Sequence, residues 1–341
     1  MKRYFNPYFL VGITILLAAG IPLSHALFMP HEIPVSKPIF LKIKKGDSLS
    51  SITEQLYQSK LIRSKFLFKW VAVVSGNSKN FKIGQYRIEK KMSILELIRL
   101  LKRGSSILLE VTTPEGMRMT DIFSLLKKTG FRNEGLYWEA ATDQKFVQSL
   151  GLPTNVTYLE GFLYPETYKF AETVSEKRII KTMVDTFFTI IPKDYAAQAR
   201  KVGLSLYKAV ILASIIEKET GARDERRLIS SVFHNRLNRN MRLQTDPTVI
   251  YGTKNFDGNL TRKQLRTPSR YNTYLNYGLP PTPIANPGLE SLMAAVQPSE
   301  TEFLYFVAMG NGRHKFSTDY QSHLNAVKQF QKRRRKNYRS F

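Results

Sequence analysis

Residues 204–220 form the most apolar run outside the N-terminus: Leu-Ser-Leu-Tyr-Lys-Ala-Val-Ile-Leu-Ala-Ser-Ile-Ile-Glu-Lys-Glu-Thr. At helical periodicity its apolar residues occupy nearly the whole circumference. The segment is therefore expected as a buried helix around which a domain is built. Gly221 stands where a left-handed stop is expected. Two carboxylates, Glu217 and Glu219, fall in the last turn. That end of a helix carries partial negative charge, which disfavours an ionised carboxylate. Apolar surroundings add a desolvation cost in the same direction. Both raise a carboxyl pKa, as a general acid near neutral pH requires. Lys218, Arg223, Arg226 and Arg227 oppose the shift. Residues two apart point about 200° apart on a helix, so one of the pair faces a cleft. Glu219 continues the face of Leu212, Ile215 and Ile216. Glu217 continues that of Val210, Ala213 and Ser214. Spacing does not choose between them, and two solvated glutamates at a helix end fit the pattern as well.

An amphipathic helix is expected over 224–237, with Leu228, Val232 and Phe233 as its apolar face. In the segment 241–251, Asp246-Pro247 is expected to break regular structure and display Gln244, Asp246 and Thr248 on a loop. The Pro-rich stretch 278–287 requires a fixed, non-helical course, either lining a site or lying as a rigid lid on the core.

The ends of the chain bear on its compartment. Residues 4–31 contain no Lys, Arg, Asp or Glu, and 8–28 are mostly apolar. About 20 such residues span a bilayer. An uncleaved signal anchor fits. So does a cleaved signal peptide, since Ser24-His25-Ala26 resembles a small-x-small cleavage site. Either places the rest of the chain outside the cytoplasm. This weakens the nucleic-acid reading of the formal net charge of +25. Seven of the positive residues lie in 328–339 with no acid among them, the mark of a solvated basic tail. With no Cys, thiol nucleophiles, Cys-ligated zinc and iron–sulfur centres are excluded. The five His residues lack ligand spacing, and no phosphate loop or dinucleotide fingerprint occurs. No metal and no cofactor are expected.

From residue 40 a strand, a turn and a capped helix recur three times. Phe40-Leu-Lys-Ile-Lys leads to Gly46-Asp47-Ser48 and the helical positions Leu49, Ile52 and Leu56. Tyr86-Arg-Ile-Glu leads to a Ser93/Glu96 capping box and a helix ending at Gly104. The strand 108–112 leads to a helix capped by Thr120-Asp121 and ending at Gly130. An α+β architecture follows. Gly46-Asp47-Ser48-Leu49-x-x-Ile52 resembles the start of a LysM module, a small fold that binds N-acetylglucosamine polymers. The resemblance covers residues 38–108. Residues 158–168, Tyr-Leu-Glu-Gly-Phe-Leu-Tyr-Pro-Glu-Thr-Tyr, mix rings and carboxylates as carbohydrate sites do, with Glu166 as a candidate contact. An aromatic loop capping a core fits equally.

Several strings together resemble the YceG-like family of endolytic murein transglycosylases. They are Ala213-Ser-Ile-Ile-Glu-Lys-Glu-Thr220, Val232-Phe-His-Asn-Arg-Leu237, Met241-Arg-Leu-Gln-Thr-Asp-Pro-Thr-Val-Ile-Tyr-Gly252, Tyr271-Asn-Thr-Tyr274, Gly278-Leu-Pro-Pro281 and Tyr305-Phe306-Val307, with His314 and His323 behind. Asn240 and Thr282 stand where the family often has Gly. The resemblance implies that the second Glu of Glu-Lys-Glu, Glu219, is catalytic. It also implies an α+β chain in four parts. Residues 1–30 are a cytoplasmic start and transmembrane signal anchor, and 38–108 a LysM-like subdomain. Residues 109–330 are a larger mixed α/β catalytic domain, and 331–341 a basic tail. The chain would sit as a single-pass protein of the inner membrane, N-terminus cytoplasmic and catalytic domain periplasmic.

The activity implied is cleavage of the β-1,4 bond between N-acetylmuramic acid and N-acetylglucosamine in nascent glycan strands. It leaves 1,6-anhydro ends and terminates elongation. One carboxylate suffices, where glycosidases usually need two. Gln244, Asp246, Thr248, Asn235 and Tyr274 are candidates for orienting the acid or holding the substrate, each with a scaffold role as the alternative. Expected partners are the peptidoglycan strands, the membrane, and glycan polymerases and penicillin-binding proteins, but no nucleic acid. The competing readings are a murein hydrolase using Glu219 with Asp246 and a non-catalytic peptidoglycan-binding scaffold.

Overall fold

In a computed structural model the described residues are 38–331, apart from 45, 90–91, 105–107, 132–133 and 172–173. The expected membrane segment 1–30 lies outside them, as does the basic tail beyond Gln331. Among the described residues no helix is long and apolar enough to cross a membrane. The fold of the described residues is α+β, with many helices and three two-stranded sheets. The described residues divide into two compact units, those within 38–110 and 169–174, and those within 111–168 and 175–331.

In the first unit, β1 (Ile39–Ile43) pairs antiparallel with β2 (Gly84–Ile88). Between them lie α1 (Leu49–Gln58) and α2 (Lys65–Val74), and after them α3 (Ile94–Arg103). Ser48 caps α1 by accepting from Ser51 N–H. The Ser93/Glu96 capping box opens α3, as expected. The core gathers Leu41, Ile52, Leu56, Phe68, Tyr86 and Leu97. The threefold strand-then-helix repeat forms, but its copies are not equivalent. Its first two strands pair with each other, and a second helix, α2, intervenes under its own cap, Ser64. The third strand, β3 (Leu108–Thr112), pairs instead with β4 (Thr167–Ala171).

The second unit continues through α4 (Met119–Thr129), α5 (Glu134–Thr142), α6 (Gln144–Ser149), α7 (Glu176–Ile190) and α8 (Tyr195–Lys201). Next come α9 (Leu206–Glu219), α10 (Arg226–Asn238), α11 (Asp246–Gly252) and α12 (Arg262–Arg266). It ends with α13 (Leu289–Val296), β5 (Tyr305–Ala308), β6 (His314–Ser317) and α14 (Tyr320–Gln331). Helix α9 is the central element: Tyr207 and every residue from Ala209 to Ile216 are buried. All-round apolarity has only this solution. The Pro-rich stretch 278–287 contains no helix and is buried from Pro283 onward. Its Ile284 N–H donates to Ser214 of α9 at 3.0 Å.

Three local expectations are corrected. Helix α9 ends on Thr220 in extended conformation, and the left-handed glycines do not include Gly221. Thr120 and Asp121 lie inside the first turn of α4. The N-cap position is Arg118, without a side-chain cap bond, and Met119 N–H donates instead to Glu160. Asp246-Pro247 opens a helix rather than breaking one. Proline is tolerated in a first turn because its missing N–H would be unpaired there anyway.

Candidate active site

The two glutamates at the end of α9 reach opposite environments. Glu217 is 6% exposed and takes a hydrogen bond from Arg226 Nη2 at 3.1 Å and another from Gly288 N–H at 3.1 Å. Arg226 is shared with Glu290 at 2.8 Å. Glu217 is therefore built into an ion-pair cluster, with Arg226 buried and Glu290 half-exposed, that ties α9 to α10 and to the start of α13.

Among the described residues no cationic side chain forms an ion pair with Glu219. Its Oε1 accepts from the Thr245 hydroxyl at the N-cap of α11. Burial pushes its pKa up to about 7, and the nearby Asp246 carboxylate adds to the rise. The Thr245 hydrogen bond and the more distant Arg236 oppose it. The residue as a whole is half-buried. It is thus an acid whose surroundings favour the protonated form near neutrality.

The loop and helix that present Thr245 are tightly determined. Gln244 sits in the left-handed region at φ 48°, and its N–H donates to Thr273 O at 3.1 Å. Thr245 N–H donates to Thr273 Oγ1 at 3.1 Å. Thr248 is wholly buried: its hydroxyl donates to Thr245 O at 2.8 Å and lies 2.8 Å from Thr273 Oγ1. These threonines fix the Thr245 backbone, from which its hydroxyl reaches Glu219. Tyr274 donates to Asp246 Oδ1 at 2.6 Å, and burial first, then Asp246, raises its phenol pKa. Arg236 is held on two backbone carbonyls, Leu304 and Leu243, both at 2.7 Å.

The candidates drawn from the sequence separate accordingly. Asp246 and Tyr274 form one pair beside Glu219, with Gln244 exposed next to them in the chain. Thr248 braces Thr245 from the interior. Asn235 points elsewhere: its amide donates to Thr301 O at 2.7 Å and Phe303 O at 2.9 Å, pinning the segment before β5. Glu166 is exposed, and its carboxylate accepts from the adjacent Thr167 N–H.

Sequence reasoning missed two groups. Thr245 lay between two nominated residues, and nothing local marks a hydroxyl whose partner is far away in the chain. The other is Glu160, in the same aromatic string as Glu166. It is 0% exposed and accepts from Met119 N–H at 2.8 Å, Asn286 Nδ2 at 3.0 Å and the Tyr251 hydroxyl at 2.9 Å. Burial pushes its pKa up to about 7. The aromatics around it, Phe162, Tyr164 and Tyr168, are buried as well, so this string serves the core. His314 and His234 are structural: His314 Nδ1 lies 2.8 Å from Glu225, and His234 Nε2 lies 2.9 Å from Ala295 O. Among the described residues no group of three or more His, Asp or Glu could hold a metal ion.

Known proteins share this framework. An endolytic murein transglycosylase of Bacillus subtilis is 32% identical over 319 residues, covering 89% of this chain and 88% of that protein. One from Streptococcus pneumoniae is 26% identical over 345 residues, covering 90% of this chain and 62% of its own length. A crystal structure of a YceG-like protein from Listeria monocytogenes superposes with a TM-score of 0.59 at 32% identity, covering 84% of this chain and 98% of that one. The sequence model of the YceG-like family matches residues 41–329, which include both glutamates and the loops that separate their roles, and the chain belongs to that family.

Proposed function

We propose that the chain is an endolytic murein transglycosylase with Glu219 as its catalytic carboxyl. The names of its relatives support the activity. The observation that carries the choice of residue is the setting of Glu219 at the end of α9: its carboxyl takes a hydrogen bond from Thr245, stands beside the Asp246–Tyr274 pair, and burial pushes its pKa up to about 7 against the pull of the Thr245 bond. Glu217 is occupied instead by its ion pair with Arg226 and the Gly288 N–H.

Protonated Glu219 donates to the glycosidic oxygen between N-acetylmuramic acid and N-acetylglucosamine. The C1–O4 bond breaks, and its electron pair leaves with the N-acetylglucosamine oxygen. The muramoyl C1 becomes an oxocarbenium or oxazolinium centre. The Glu219 carboxylate then takes the C6 hydroxyl proton as O6 closes on C1. The product is a 1,6-anhydro end, water is not consumed, and Glu219 regains its proton. Asp246 and Tyr274 orient this acid or contact the acetamido group.

Residues 1–30 form an inner-membrane anchor with a cytoplasmic N-terminus. The LysM-like part, 38–108, and the catalytic part, 109–330, lie in the periplasm, and 331–341 is a basic tail. The uncharged run 4–31 and the antiparallel strand pair enclosing two helices support this arrangement. Glycan polymerases and penicillin-binding proteins supply the nascent strands.

The test is mass spectrometry of murein digested by the full chain. Anhydro ends are expected from the wild type and from Glu217→Gln at its folded concentration, and none from Glu219→Gln. Ordinary reducing ends would identify a hydrolase using Glu219 with Asp246. No cleavage by the wild type would identify a scaffold.

A further inference from the structure

Helix α2 buries Phe68, Val71 and Ala72 in the core of the first unit. Its opposite side is also apolar. Phe66 is 78% exposed, Trp70 46%, Val73 58% and Val74 67%. The spacing 66, 70, 73, 74 places all four on one helical face. A contiguous aromatic and aliphatic stripe turned to solvent marks an interaction surface.

The charge around the stripe is one-sided. From residue 55 to 88 the chain has seven Lys or Arg and no Asp or Glu. Lys60, Arg63 and Lys79 are exposed, and Lys69 lies on α2 itself beside Trp70. Lys65 is engaged by Glu54 at 2.7 Å and lies 4.5 Å from the centre of the half-exposed Tyr57 ring. An apolar face carrying Trp and Phe, rimmed mainly by cations with Glu54 the one acid paired at its start, has the composition of a helix that lies in the headgroup region of an anionic bilayer. Seven residues, 32–38, separate the uncharged run 4–31 from β1, a reach of about 25 Å at full extension.

We infer that α2 docks on an anionic phospholipid surface, with Phe66, Trp70, Val73 and Val74 among the acyl-chain ends and the surrounding Lys and Arg on the headgroups. Proximity to the membrane rests on the anchor reading above. The stripe and its charge do not.

The test uses the full chain mixed with vesicles of phosphatidylcholine, with and without phosphatidylglycerol, made with ordinary or brominated acyl chains. Bromine quenches a tryptophan that reaches the acyl region. The chain has two tryptophans, Trp70 and Trp138, so Trp70→Phe reports which one is quenched. The expected result is a loss of fluorescence in brominated, phosphatidylglycerol-containing vesicles. That loss disappears in Trp70→Phe and shrinks in Arg63→Glu/Lys69→Glu. Flotation resistant to high salt reads the anchor separately. A chain that floats without quenching of Trp70 overturns the docking and leaves the anchor. Quenching without salt-resistant flotation overturns the anchor and leaves the docking. Protection of Trp70 that grows with protein density rather than with phosphatidylglycerol assigns the stripe to a second copy of the chain and overturns the proposal.

Discussion

Helical spacing does not separate Glu217 from Glu219, and the family resemblance points to the second; the fold gives the first an arginine and the second a hydroxyl. That difference sets the pH behaviour of the reaction. With its pKa pushed up to about 7 by burial, Glu219 acting as the proposed acid makes kcat/KM fall above neutrality, tenfold per pH unit. Asp246→Asn removes a neighbouring negative charge, lowers the Glu219 pKa and moves the fall to lower pH. Thr245→Val removes a donor to the carboxylate, raises the pKa and moves the fall to higher pH. A pH–rate profile reads both, and shifts of the same sign in the two variants would refute the electrostatic account. Glu160 obeys the same physics without touching substrate. Its carboxyl holds a proton in the folded state up to about pH 7 and releases it near 4.5 when unfolded. Stability is therefore full below about pH 4.5 and declines as pH rises to about 7, by about 3 kcal/mol in all. Glu160→Gln is expected to flatten that slope in thermal melts from pH 5 to 8. Glu160→Ala leaves Met119 N–H, the Asn286 amide and the Tyr251 hydroxyl without their acceptor and is expected to cost about 2–4 kcal/mol at pH 5. Both comparisons are made in a Glu219→Gln background, because Glu219 contributes a slope of the same sign.

At the scale of elements, helix α9 works because its neighbours approach closely. Gly161 lies in the left-handed region at φ 90°, and a Cβ there would stand 2.6 Å from Pro283 Cγ and 2.8 Å from Val210 Cγ1. Backbone strain and overpacking point the same way, so Gly161→Ala is expected to destabilise by about 3 kcal/mol. A denaturant midpoint unchanged from wild type would show that the Pro-rich stretch yields instead. Which elements were legible follows from where their signals lie. Helices α1, α3 and α9 announce themselves through caps or apolar period within their own residues. Helix α11 was read as a loop because proline in a first turn and proline in a break look alike locally. The first N–H of α4 is satisfied by Glu160, 41 residues away, and no local pattern could show that. Likewise burial alone distinguishes Glu160 from Glu166, and Asn286 and Tyr251, both distant in sequence, create it.

For the whole molecule, the net charge of +25 acts at longer range than any of these contacts. A wall polymer whose peptide stems carry carboxylates is drawn to such a chain, but the attraction between exposed charges is screened beyond about 10 Å at 0.1 M salt. The chemistry at Glu219 depends on groups in or near contact in a partly dry site, which salt reaches poorly. Binding and catalysis should therefore respond differently to ionic strength. KM for intact murein strands is expected to rise several-fold as salt is raised from about 0.05 to about 0.5 M, while kcat stays nearly constant. Glycan strands stripped of their peptides lack most of the carboxylates, so their KM should change little over the same range. Equal salt dependence for stripped and intact strands would mean that the charge serves something other than the substrate. A fall in kcat with unchanged KM would place a screened charge inside the reaction itself, and Asp246 would be the first group to replace.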